Sequence, residues 1–565
     1  MRLIRLKINN PSGFRSLQAG FEVCFLREWD YDKANQFNPN ILVGPNGSGK
    51  SNVLEALAAI FYHIDCMLLE FRPDTFEYDE EQNPNGFQVE KSIPNAFEVE
   101  YFMRIPPELN QLNQPGFAHI SIVKNSGEAP VIQWVNRREF NNEGDQRLND
   151  LEAKSFYPRF VLGYSSGENE ILSLPFFKTR FIQFDEYWDF LIRDDYYNQE
   201  PESRLVYLDQ QFSQAILLSN FLFHSKSVLS PLKEEIGLEK ILEFRIIIKG
   251  KSLSLSEEAF SEGFSKGFES KHADPIILTK KLEGIIEKLK NCATATYLDT
   301  ETDTWYLDYW VNEATREAFR LHFGSALELF QTFQILLTLN LYQVTTKTKQ
   351  ELYGSDSVYV NETIPIPPSD ERIMRFKDFV LKKTGTTKTI YSKSLSDGEH
   401  QFSHALGLCL LFKNEPCLFL LDEPETHFNP DWRASFISRL RDCFKEGDAA
   451  DIMRDMLITT HSPFLVSDSK PEYVFMFNKE TETQKITSKQ PDFNTFGASI
   501  NKITLKAFAK PETIGGFAGQ KLQELRQRFK AGENAESILN EVNREMGDSI
   551  EKTLFINELF QSRKD

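Results

Sequence analysis

Long apolar runs are missing from this 565-residue sequence. No stretch of about 18 apolar residues occurs, which excludes the reading of a membrane-spanning helix. The opening MRLIRLKINN alternates apolar and basic residues in strand fashion and has no continuous apolar core of the signal-peptide kind, so the expectation is a cytoplasmic protein. Cysteine is sparse and unpaired in pattern. The six (Cys24, Cys66, Cys292, Cys409, Cys417 and Cys443) form no CxxC, and several stand inside apolar runs, where a reduced thiol behaves as a small hydrophobe. Positive charge is also short: 64 Lys and Arg face 83 Asp and Glu, for a formal charge of −19. Such a chain repels phosphate backbones as a whole, and a nucleic acid would have to be met by a local basic patch or through a partner. Sustained heptads, internal repeats and low-complexity tracts are absent, which removes a long coiled coil from consideration.

What remains is a globular composition, 41% apolar and 26% charged with 48 phenylalanines, long enough for several modules or for one large module carrying insertions. Strands are expected at RLIRLKI, FEVCF and NILVG, then at AFEVEYFMRI, AHISIV and APVIQWV. In SNVLEALAAIFYHI the apolar positions Val53, Leu54, Leu57, Ile60, Phe61 and Ile64 recur at three and four, the spacing of a helix with one buried stripe. From residue 182 to 369 the reading is an inserted, mainly helical region, with IILTKKLEGIIEKLKN behind an Asp274-Pro275 cap and ALELFQTFQILLTLNLYQ further on. Beyond it the order is turn, helix, buried strand (PCLFLLDEP), helix (WRASFISRLRDCF), buried strand (DMLITTHS) and strand (EYVFMF), an alternation that implies a parallel sheet. Residues 481–565 read as helical, one late helix opening at Asp548 with Glu551 three residues on.

Three motifs carry chemistry. GPNGSGKS, Gly44 to Ser51, fits GxxxxGK[ST] and sits between a strand and a helix. Its glycines let backbone N–H groups converge on phosphate oxygens, the following helix adds its positive end, Lys50 suits the β- and γ-phosphates, and the Ser51 hydroxyl can ligate Mg²⁺. CLFLLDEPETH ends an apolar strand in two acids: Asp422 suits the Mg²⁺ shell, and Glu423 suits the orientation or deprotonation of an attacking water. ITTHSPF places His461 at the end of another apolar strand, in reach of a γ-phosphate.

With these pieces the sequence resembles the ABC-type ATPase superfamily, in the branch of SMC, RecF and OLD-like heads. LSDGEHQ, Leu395 to Gln401, then matches the ABC signature, with Asp397 replacing the first of its two usual glycines while Ser396 and Gly398 are kept. The resemblance covers about residues 1–180 and 370–480. It implies an α/β fold, an ABC-type head of two lobes (1–181 and 370–480), interrupted by the insertion and extended by the C-terminal helices. ATP and Mg²⁺ are the implied ligands. The implied contacts are Gly44, Pro45, Asn46, Gly47, Ser48, Gly49, Lys50, Ser51 and Asn52, the early pair Phe14-Arg15, and the signature residues Ser396, Gly398 and Glu399. Ser51 and Asp422 would hold the metal, and Glu423, His461 and Lys50 would serve catalysis. Asn429-Pro430 takes the D-loop position. The Q-loop stays open between Gln183 and the loop YSSGENE, Tyr164 to Glu170. In such heads the signature closes over a γ-phosphate held by a second head, so Ser396 and Gly398 act in trans and the complete site implies at least a homodimer.

The tail narrows the branch. OLD-type nucleases need a strand-tip Glu and a later DxD that nothing after Phe477 supplies, and no histidine follows His461, so a His-dependent nuclease in the tail is excluded. LSDGEHQF, ETHFNP and the late GDSIEKTLFINEL resemble the PtuA-type ATPases of Septu and retron-associated bacterial defence. That implies an anti-phage sensor or regulatory ATPase that partners a small HNH nuclease, PtuB, and in some forms a reverse transcriptase with its RNA–DNA product (msDNA). Two other readings are kept: a RecF-like repair ATPase that clamps DNA, and an ATP-binding scaffold with little turnover. The basic run Lys521, Arg526, Arg528 and Lys530 is expected to be a solvated face, QAILLSNFLFH and LELFQTFQILL to fill the core or a subunit interface, and His400 and His404 to cap or pack.

Overall fold

The computed structural model describes residues 1–27, 29–30, 37–110, 116–140, 142, 144–166, 172–192, 203–207, 209–250, 275–357, 364–386, 388–445, 452–508 and 514–561. β1 (Arg2–Ile8) pairs antiparallel with β2 (Phe21–Cys24), and the inward side chains Leu3, Leu6, Phe21 and Val23 are buried. β3 (Asn40–Val43) is buried at every position, as a strand covered on both faces must be. After the helix Lys50–Leu68, the chain returns to the first sheet through β4 (Phe97–Arg104), β5 (Phe117–Lys124) and β6 (Val131–Trp134), in the antiparallel order β2-β1-β4-β5-β6. β7 (Phe160–Ser165) and β8 (Leu205–Tyr207) join β3 in a second sheet.

Next come β9 (Leu238–Lys249), β10 (Ala295–Asp299), β11 (Thr304–Trp310), β12 (Met374–Lys383) and β13 (Thr389–Tyr391), which build an antiparallel sheet of their own in the order β10-β11-β9-β12-β13. β14 (Cys417–Asp422), β15 (Asp455–Thr460), β16 (Val474–Lys479) and β17 (Ile486–Lys489) complete the central sheet. Its seven strands run β17-β16-β3-β15-β14-β7-β8, all parallel except the antiparallel edge β17. The fold class is α/β, with helices covering this parallel sheet.

The register decides where the chemistry gathers. Val43 stands opposite Thr460, Asp422 opposite Thr459 on one side and opposite Ser165 on the other. The carboxyl ends of β3, β15, β14 and β7 therefore lie at one level, the crevice in which open parallel sheets place their ligands.

The region 182–369 is mainly helical among its described residues, but it also carries strands that its helical reading did not include. It supplies β8 to the central sheet and β9, β10 and β11 to the third, and the helix Leu174–Ile192 runs across its first boundary. EFRIIIK and TWYLDYW alternate with period two, and Phe244, Ile246, Ile248, Leu307 and Tyr309 point into the core. Their ladder is completed by β12, beyond the region, so local helical periodicity could not reveal it. The stretch 481–565 is likewise not only helical, since it begins with β17.

The phenylalanine-rich helices pack as core. Ala215 to Leu222 are buried within the helix Ser213–Phe223, which lies against the helix Asp397–Leu411, and Leu329, Phe330, Phe333 and Leu336 are fully covered. The last three helices, Gly516–Lys530, Ala535–Glu545 and Ile550–Gln561, enclose a small core of Leu522, Leu525, Ile538, Val542, Phe555 and Leu559. The final helix is capped one residue later than expected: Lys552 N–H donates to Ser549 Oγ at 3.1 Å, while Asp548 pairs with the Lys552 ammonium. Asp274 lies outside the described residues, and its helix begins at Pro275. All six cysteines are free thiols, and only Cys24 is exposed. Among the described residues no helix is long and apolar enough to cross a membrane.

Candidate nucleotide-binding site

The loop between β3 and the Lys50 helix can turn as tightly as it does because its glycines accept positive φ: 153° at Gly44, 73° at Gly47 and 89° at Gly49. A Cβ on Gly44 would stand 2.3 Å from the Phe477 carbonyl oxygen, so only glycine fits beside β16. Gly49 caps the helix without a side-chain hydrogen bond, and no acid occupies the first turn, which leaves the early N–H groups and the positive helix end without a side-chain partner behind the loop of Pro45, Asn46 and Ser48.

Lys50 is buried, and its ammonium donates to the carbonyls of Gly44 (3.1 Å) and Pro45 (3.2 Å) and lies 3.1 Å from His461 Nε2. Burial pulls its pKa below the usual lysine range, opposed by the charges of Glu423 and Asp422. Ser51 Oγ donates to Asp422 Oδ1 at 2.8 Å, and Thr459 Oγ1 donates to the same oxygen at 2.6 Å. Asp422 is buried, and desolvation raises its pKa against these two hydrogen bonds. A hydroxyl and a carboxylate brought this close are the hard oxygen donors that suit Mg²⁺.

Glu423 is placed differently from its neighbour. Its side chain is 37% exposed, and its backbone is left-handed at φ 47°, a conformation that costs a non-glycine residue about 1–3 kcal/mol. Hydrogen bonds hold it there: its N–H reaches Thr459 O (3.2 Å) and Thr459 Oγ1 (3.0 Å), and its carbonyl accepts from the hydroxyls of Ser166 and Thr426. The carboxylate lies 3.3 Å from His461 Nε2, and that contact keeps its pKa below the ordinary glutamate range. One acid is locked and dry, the other strained and open, which is the arrangement a metal ligand and a proton acceptor require.

Arg15 and Asn52 meet through a third residue. Arg15 Nε pairs with Glu55 at 2.9 Å, Asn52 Nδ2 donates to Glu55 at 3.2 Å, and Ser16 Oγ donates to Asn52 at 2.6 Å, so the segment between β1 and β2 is tied to the first turns of the helix that carries Lys50. Phe14, beside Arg15, is buried.

The structure sets Ser396, Gly398 and Glu399 on a separate helix start. Ser396 caps the helix Asp397–Leu411 in a reciprocal capping box with Glu399, and the Glu399 carboxylate also pairs with Lys383. Gly398 is helical rather than part of a left-handed turn. Its missing side chain is explained by the His427 carbonyl oxygen, which a Cβ would approach to 2.6 Å. Asn429 caps the next helix by accepting from Trp432 N–H at 2.8 Å, with Pro430 in its first turn.

Of the two Q-loop candidates, Gln183 is buried in the interior of the helix Leu174–Ile192. Ser165 and Ser166 from the other loop reach Asp422 and Glu423 directly, while Gly167 to Glu170 lie outside the described residues. His404 bonds Ser213 Oγ at 2.8 Å and stacks on Tyr164, so it is packed; among the described residues no group of three or more His, Cys, Asp or Glu side chains gathers as a metal site around it. In the tail Lys521 pairs with Glu541, Arg526 with Glu558, and Arg528 with Glu533 and Glu541, which neutralises most of the basic run within the three-helix unit.

Sequence reasoning missed Thr459, Thr460 and Glu425. The signal was present in ITTHS: successive strand residues face opposite sides, so Thr459 meets Asp422 while Thr460 meets Glu425.

No curated protein matches the chain. Among solved structures it is similar to an SMC head bound to the C-winged helix domain of ScpA, at 11% identity and a TM-score of 0.30, covering 87% of this chain and 98% of that one. It is also similar to the SMC head domain from Thermotoga maritima, at 11% identity and a TM-score of 0.30, with 87% of this chain and 100% of that one covered. The family described as "AAA domain, putative AbiEii toxin, Type IV TA system" matches residues 40–102 and 208–467. That span is more than half of the sequence and includes the glycine loop, the signature helix, both acids and His461, and the chain belongs to this P-loop ATPase family.

Proposed function

We propose that this chain binds ATP with Mg²⁺ and hydrolyses it, and that two copies join around the nucleotide to control a separate nuclease subunit. Lys50 and the glycine-loop N–H groups hold the phosphates, Ser51 and Asp422 hold the metal, which supplies charge neutralisation, and Arg15 and Asn52 border the same helix start. Glu423 accepts the proton of the attacking water, and His461 orients that carboxylate and meets the γ-phosphate. Ser396 and Gly398, with Glu399 beside them, serve the site of the second copy. The observation that carries the reading is the convergence, at the ends of adjacent parallel strands, of Ser51 and Thr459 on one oxygen of Asp422 with Glu423 and His461 3.3 Å apart beside them.

The nuclease of this proposal is an HNH protein of the PtuB kind, in phage defence, with a reverse transcriptase and its msDNA as further partners in retron-associated forms. The resemblance of the tail supports it, as do Ile550 and Leu554, exposed four residues apart on the last helix. A RecF-like DNA clamp gains no support from the tail's basic residues, which are largely paired with glutamates.

Glu423→Gln tests the catalytic half. Nucleotide binding persists while phosphate release falls about a hundredfold or more, and ATP-dependent dimers accumulate in light scattering. Unchanged turnover would defeat the assignment of Glu423. A co-expressed HNH subunit whose cutting ignores ATP would defeat the regulatory half.

A further inference from the structure

Glu425 follows Glu423 after Pro424, on the turn beyond β14, and only 4% of it is exposed. One carboxylate oxygen accepts a hydrogen bond from the Thr460 hydroxyl, and Oε2 has no hydrogen-bond partner among the described residues. Burial pushes its pKa up to about 7. A buried acid without a cation in direct contact is an expensive way to fill space, and an apolar side chain of similar volume would serve stability better. Cost at such a place, between two acids and a histidine, points to a task.

The task is legible in what Thr460 does. It is the last residue of β15, and the hydroxyl that donates to Glu425 also accepts the N–H of Ser462 at 2.9 Å. His461 lies between these two anchor points. The single oxygen of Thr460 therefore closes a small turn around His461 and ties it to the turn after β14. That second turn is itself held shut: Phe428 N–H donates to the Glu425 carbonyl at 3.0 Å, and Arg433 donates to the carbonyls of Glu425 (3.4 Å) and Thr426 (3.1 Å). Between the two turns stand the contacts on which hydrolysis would depend, His461 Nε2 at 3.1 Å from Lys50 Nζ and 3.3 Å from Glu423 Oε1.

We infer that Glu425 is a positioning residue, which through the Thr460 hydroxyl fixes the backbone carrying His461 and so aims the imidazole at Glu423 and at the phosphate held by Lys50. The inference rests on the proposed ATP hydrolysis and deepens it. Glu425 acts through Thr460 and not on the reacting atoms.

The test is steady-state phosphate release by the full chain. Glu425→Ala and Thr460→Val each lower kcat about tenfold or more while the KM for ATP stays within about twofold, because aim is lost and nucleotide affinity is not. Glu425→Gln keeps an acceptor for the Thr460 hydroxyl and retains kcat to within about threefold. The double variant Glu425→Ala with Thr460→Val falls no further than the worse single one, since both cut the same link. Thr460→Val preserves side-chain volume, so it reports even where Glu425→Ala folds poorly. Wild-type kcat in Glu425→Ala or Thr460→Val, a loss that appears in KM alone, or a Gln variant as slow as the Ala variant would each overturn the inference while leaving ATP hydrolysis intact. A wild-type chain that binds ATP and releases no phosphate would overturn the proposed hydrolysis first, and this inference with it.

Discussion

The helices that begin at Lys50 and at Asp397 look alike in sequence, each opened by a serine- and glycine-containing turn, yet their starts are in opposite electrostatic states. The Lys50 helix has no side-chain cap and no acid in its first turn. The Asp397 helix is capped by Ser396, answered by Glu399, and carries Asp397 as a second acid. The first start leaves its donors without a side-chain partner, and the second ties its Ser396 and Glu399 N–H groups into the box and offsets its positive end. Even the glycines differ: Gly49 bends the backbone at φ 89°, whereas Gly398 makes room for a carbonyl. A glycine beside a helix start is thus no signature of phosphate binding until its reason is known. One of these starts is open at its cap, and the other would have to give up an internal partner before its cap residues met an external one.

The contrast can be broken at its stronger end. Lys50→Ala removes the buried cation and should weaken ATP binding about a hundredfold, read with a fluorescent nucleotide; retained affinity would remove the Lys50 start from the binding site. At the other start Gly398→Ala drives a methyl group against the His427 carbonyl, and a destabilisation of about 1–3 kcal/mol is expected in urea unfolding. A neutral outcome would mean that the two turns do not meet as described. Asp397→Asn leaves the capping box in place and takes one negative charge from the first turn. If that start approaches a phosphate of a second copy, ATP-dependent association should tighten about two- to fivefold, while an unchanged dissociation constant in sedimentation would separate it from the nucleotide.

Much of the site was legible because its information is local. The strand, glycine loop and helix around Lys50 are contiguous, and so are the apolar strands that end in Asp422 and Thr460. Where meaning lay in pairing between distant segments, sequence reading failed. The third sheet needs β9 to find β12, and period-two alternation in TWYLDYW went unread beside stronger helical patterns. The basic run of the tail is the solvated face that the sequence suggests, but its glutamate partners Glu533, Glu541 and Glu558 come to it only through the packing of three helices. Glu425 was hidden for a similar reason. In DEPETH it reads as one more surface acid, and its burial and its bond to Thr460 depend on β14 and β15 lying side by side.

Because hydrogen alone separates the Gly398 α-carbon from the His427 carbonyl, the signature turn and the acidic turn touch main chain to main chain. Side chains absorb a push by changing rotamer; peptide units have no such slack. A displacement of a few tenths of an ångström on one side must reappear on the other nearly undiminished. On the proposed function, the half of the chemistry that a chain keeps and the half it would lend are geared together, and neither would move in silence.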